Sequence, residues 1–85
     1  MFEVDWIQSA LDELARIWLT LDSAGRRAIT EAAAQIDREL TDSADMVGES
    51  RFGTLRVHYV EPLGLTFSVD AEKRSAHVVN VWLVR

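Results

Sequence analysis

The chain has 85 residues, 48% of them hydrophobic, with no cysteine and a net charge of −5. A length this short supports one domain only, since halves would be too small to bury a core, and such a chain hides about 60–65% of its unfolded surface. The composition excludes intrinsic disorder, disulfide frameworks and thiolate metal sites, and the negative charge argues against non-specific nucleic-acid binding, which needs a cationic surface.

No apolar run approaches the roughly 20 residues of a membrane span, and MFEVDW lacks the basic flank and apolar core of a signal peptide. The expected address is the cytoplasm. The charge is unevenly spread: residues 1–50 carry eleven acids and four bases, and residues 51–85 three acids and five bases. An anionic ligand is therefore expected, if anywhere, in the C-terminal half.

In chain order, Phe2, Glu3 and Val4 alternate and predict a short edge strand. Asp5, with Gln8 three positions on, predicts a capping-box-like helix start. Ile7, Leu11, Leu14, Trp18 and Leu21, joined by Ala10 and Ile17, then follow at helical spacing opposite Gln8, Asp12, Arg16 and Thr20, which predicts one buried stripe. Asp22 and Ser23 offer a second cap, followed by the stripe Ile29, Ala33, Ile36 and Leu40. Residues 6–40 thus read as a helical hairpin with a very short connection. Thr41 to Gly48 lacks periodicity and reads as a loop.

Alternation returns from Phe52 to Val60, with Leu55, Val57 and Tyr59 on one face and Arg56 and His58 on the other, the latter pair expected away from the core. Glu61-Pro62-Leu63-Gly64 reads as a turn. Leu65, Phe67 and Val69 alternate with Thr66, Ser68 and Asp70 as a half-buried strand. Ala71 to Arg74 is a second turn, and Ala76–Val84 is apolar on both faces, so it is expected inside the sheet. The expected fold is α+β: an antiparallel sheet in the order β-α-α-β-β-β, with the N-terminal helical hairpin packed on one face.

The sequence holds no Gly-rich phosphate loop, Cys/His cluster or HExxH, and two histidines nineteen positions apart are a weak metal signal; no metal or other cofactor is expected. Arg51, Arg56 and Arg85 are the cations of interest, because a guanidinium fork matches phosphate oxygens. Spacing alone leaves two readings for them, phosphate contacts or solubilising charges paired with the acidic helices. Glu49 lies two residues before Arg51 and has the chemistry of a general base, and His58 and His77 that of proton carriers near neutral pH. Trp82 is read either as an exposed platform for base stacking or partner binding, or as a core residue.

GESR (Gly48 to Arg51), LRVHYVEPLGLTFSVD (Leu55 to Asp70) and VNVWLVR (Val79 to Arg85), following a helical hairpin, together resemble the RelE/ParE family of toxins from bacterial type II toxin–antitoxin modules. The resemblance spans the whole chain. It implies a four-stranded sheet with two N-terminal helices, and a cognate antitoxin that wraps and neutralises the toxin. One wing of that family cuts mRNA on the ribosome by attack of the ribose 2′-OH on the adjacent phosphate, which needs cations at the phosphorane and groups that move protons. The other wing poisons DNA gyrase.

Carried onto this chain, the endoribonuclease reading makes Arg56 and Arg85 catalytic, with Glu49 added as base on chemical grounds, and Arg51, His58 and Trp82 substrate-binding. A non-catalytic protein-binding module that keeps the fold is the third expectation. RelE-like ribonucleases are generally basic, and this chain is acidic.

Overall fold

The computed structural model describes residues 1–84. The elements are β1 (Glu3–Trp6), α1 (Gln8–Leu19), α2 (Ser23–Ser43), β2 (Glu49–Phe52), β3 (Leu55–Val60), β4 (Leu63–Asp70) and β5 (Ser75–Leu83). They form an α+β fold whose single sheet has the strand order β1-β5-β4-β3-β2. β2 to β5 make the expected antiparallel meander, and β1 joins its far edge parallel to β5, with Asp5 opposite His77 and Trp6 opposite Val78. None of the helices among the described residues is long and apolar enough to cross a membrane.

Four details differ from the sequence reading. The segment from Phe52 to Val60 is not one strand: it breaks at Gly53–Thr54 into a hairpin, so the sheet has five strands rather than four. Asp5 is a strand residue and not a helix cap, because pairing with β5 keeps the backbone extended until Ile7 N donates to Val78 O at 3.0 Å; Ile7 itself is the N-cap. The turn after β3 is tighter than expected, with Leu63 and Gly64 already in β4. α2 runs on through Ser43, beyond the expected loop start at Thr41.

The cap of α2 is as expected: Asp22 accepts from Gly25 N at 2.8 Å, satisfying one of the free donors of the first turn. Its stripe is buried at Ile29, Ile36 and Leu40 as expected, with Ala32 in place of Ala33 as the buried alanine. These pack with Leu63, Leu65, Phe67 and Val78 from the sheet, all fully buried. Each such side chain contributes roughly 1.5–3 kcal/mol through removal of apolar area from water.

The apolar set of α1 divides between two faces. Ala10 is buried and Leu14, Ile17 and Leu21 pack on the core, whereas Leu11 and Trp18 stay about 40% exposed beside Leu19. α1 lies along β5, beyond the end of β1. There Glu13 inserts its carboxylate at the sheet edge, accepting from Asn80 Nδ2 at 2.8 and 3.0 Å and from Val81 N at 3.1 Å. Edge N–H groups left without partners are costly, so Glu13 completes a ladder that β1 is too short to cover.

Candidate functional site

Strand register decides which candidates share a face. On β3, Arg56 pairs with Phe67 and His58 with Leu65, two fully buried residues, so both lie on the helix side. The expected phase of β3 is therefore reversed: Leu55, Val57 and Tyr59 occupy the open face. Alternation points the wrong way, because the apolar set Leu55, Val57 and Tyr59 stands on the open face while Arg56 and His58 find partners at the core margin.

Those partners are specific. Arg56 donates from Nε to Val47 O at 2.8 Å and from Nη2 to Gly48 O at 3.0 Å, tying the loop after α2 to the sheet. Gly48 makes that approach possible, since its φ is 70° and a Cβ there would lie 2.3 Å from Val57 O. His58 Nε2 and Glu39 Oε1 are 2.8 Å apart, joining β3 to α2. Both residues thus serve as links between the sheet and the elements that cover it.

The open face holds the other candidates. Glu49 pairs with Val57 and stands at its β2 edge. Arg51 sits at the irregularity between Ser50 and Phe52, its guanidinium 3.9 Å from the Glu49 carboxylate. Both are well exposed, so this pair contributes less than about 1 kcal/mol.

β5 is apolar on both faces and lies inside the sheet as expected, but its phase shifts. A register irregularity at Thr66/Phe67 leaves Val79 unpaired, which puts Ala76, Val78 and Val81 all on the core side. Trp82 consequently lies on the open face, opposite Gly64, with its ring edge-on to Tyr59 at 6.0 Å between centroids. Arg85 lies outside the described residues.

The sheet thus separates Arg56 and His58 from Glu49, Arg51 and Trp82. Two features were not read from the sequence. Asp5 Oδ1 contacts His77 Nδ1 on the open face, a pairing that depends on the non-local match of β1 with β5. Leu11, Leu14, Ala15, Trp18 and Leu19 also line an apolar groove of about 360 Å³ on α1. Helical spacing had placed most of these on the buried stripe. Among the described residues, no group of three or more His, Asp or Glu is arranged to hold a metal ion.

No protein-family model matches the chain, and no curated protein matches it. Solved structures do. The RelBE2 toxin–antitoxin complex of Mycobacterium tuberculosis superposes with a TM-score of 0.76 at 15% identity, covering 96% of each chain. The isolated RelE toxin of E. coli gives a TM-score of 0.70 at 18% identity over 100% of this chain and 86% of that one. The chromosomal ParDE system of P. aeruginosa gives 0.64 at 18% identity, over 100% and 98%. Together with the strand order and the N-terminal helical hairpin, these likenesses show that the chain has the fold of the RelE/ParE toxins.

Proposed function

We propose that this chain is the toxin component of a type II toxin–antitoxin pair, neutralised by a small cognate antitoxin, and that it acts in the cytoplasm by docking on a protein target rather than by cutting RNA. The fold supports the first part, because the similar structures include a toxin–antitoxin complex from each of two systems and an isolated toxin. The uncovered groove on α1 supports it independently: Leu19 is 73% exposed and Leu11 43%, an apolar surface of the kind a partner's amphipathic segment covers.

The observation that carries the second part is the placement of Arg56. In-line cleavage needs a guanidinium and proton-moving groups converging on one phosphate. Here Arg56 faces the helices with two of its donors on backbone carbonyls, while Glu49 and Trp82 stand on the opposite face. The net charge of −5 also opposes docking on ribosomal RNA. Of the two targets that the resemblance implies, DNA gyrase then fits better than the ribosome and its mRNA.

Expression of the chain alone in a bacterial host, with and without the small protein of the neighbouring reading frame, tests the pairing. Growth arrest relieved by the neighbour is expected, and purified gyrase should lose supercoiling activity in the presence of the chain. Unaffected growth would instead point to a non-toxic binding module.

A further inference from the structure

We infer that the free edge of β2 pairs with the same edge of a second copy of this chain, in antiparallel register about Ser50, joining two five-stranded sheets into one. The inference stands apart from the toxin reading and needs only the sheet. β2 is the last strand of that sheet, hydrogen-bonded to β3 alone, and all four of its residues are exposed. Its outer side presents backbone N–H and C=O groups with no strand beside them, a template for one more strand.

What covers this edge follows from its sequence, Gly48-Glu49-Ser50-Arg51-Phe52. A two-fold axis through Ser50 sets Glu49 opposite Arg51 of the second copy and Arg51 opposite its Glu49, so the segment is its own electrostatic complement. Within one chain these charges are only loosely engaged: the Arg51 guanidinium is 3.9 Å from the Glu49 carboxylate, and the side chains are 55% and 77% exposed. Paired across the axis, they close a ring of four charges that alternate in sign. The same register puts Phe52, 82% exposed, opposite Gly48 of the second copy, where the ring meets no side chain and covers bare backbone.

The other edge of the sheet supplies the contrast. β1 pairs with β5 alone, and two copies of Glu3-Val4-Asp5 paired antiparallel about Val4 set Glu3 opposite Asp5 twice over. Like charges directly opposite destabilise a ladder, so β1 resists self-pairing where β2 favours it. The irregularity between Ser50 and Phe52 adds twist to β2, which a junction of two edge strands accommodates. One short strand from each copy is a small interface, below about 1,200 Å² in total, so the dimer is expected to form and dissociate with concentration.

Sedimentation velocity of the full chain, from micromolar to millimolar concentration, tests this together with amide hydrogen exchange in the same samples. A monomer–dimer equilibrium is expected, with protection of the β2 amides rising as the concentration rises. Glu49→Arg and Arg51→Glu each place like charges across the axis and should weaken self-association about 10-fold. For Glu49→Arg the overall charge predicts the reverse, since the change removes negative charge from an acidic chain. Mixed in equal amounts, the two variants face each other with opposite charges and should form a heterodimer at least as tight as the parent dimer. The double variant carrying both changes should self-associate within about threefold of the parent.

A chain that stays monomeric up to millimolar concentration, single variants that associate as the parent does, or a mixture of the two that remains monomeric would each overturn the inference. None of these readouts depends on toxicity.

Discussion

Trp82 lies so closely over Gly64 that a Cβ added to residue 64 would sit 2.5 Å from the indole Cε2 and Nε1. A strand glycine is ordinarily a weakness, and here it makes room for the ring that closes the open face. Gly64→Ala is expected to destabilise the fold by about 1–3 kcal/mol, as overpacking does, and to turn Trp82 away from Tyr59. Urea unfolding together with near-ultraviolet circular dichroism checks both. In a Trp82→Ala background the same alanine should cost much less, since the clash has been removed.

Glu13 is expected to act as the seal of the β5 edge. Glu13→Ala leaves Asn80 and the Val81 N–H without their shared acceptor, at a cost of about 1–3 kcal/mol. Glu13→Gln, which keeps one accepting oxygen, should lose roughly half as much. Amide hydrogen exchange at Val81 reads the effect directly: protection should drop in the alanine variant and be partly kept in the glutamine one.

Arg56 is expected to behave as a brace. Arg56→Ala removes the donors to Val47 O and Gly48 O, which should lower stability by about 1–3 kcal/mol and speed hydrogen exchange in residues 44–48. Arg56→Lys keeps the charge but loses the fork geometry, so it should also loosen the loop. A variant that keeps full stability while losing all biological effect would assign Arg56 to catalysis instead.

The exposed face of α1 should separate folding from partner binding. Leu19 is 73% exposed, so Leu19→Lys is expected to change stability by no more than about 0.5 kcal/mol. The same change places a charge in the apolar groove and, under the proposed toxin–antitoxin pairing, should weaken neutralisation by the antitoxin. Denaturant curves and a growth-rescue titration measure the two effects separately.

The sequence reading succeeds where periodicity and local chemistry act alone. The buried stripe of α2, the Asp22 cap, the alternation of β4 and the turn from Ala71 to Arg74 all follow from neighbours within a few residues. It misleads where distant contacts decide. Asp5 looks like a cap until β5 claims it for a strand, and Val79 breaks the alternation of β5 through an irregularity that no pattern announces. The phase of β3 is the costliest case, because it decides whether Arg56 and Trp82 share a surface, and the side chains that reach the helix side are the polar Arg56 and His58, held there by bonds to Val47, Gly48 and Glu39 that lie far off in sequence.

The most direct measurement is a map of RNA 5′ ends in cells arrested by the unpartnered chain, compared with cells carrying Arg56→Lys. Action through contact with a protein target predicts transcripts with unchanged ends, and arrest kept by Arg56→Lys wherever that variant remains folded. New 5′ ends within coding sequences that disappear in Arg56→Lys would contradict it and make the chain a nuclease.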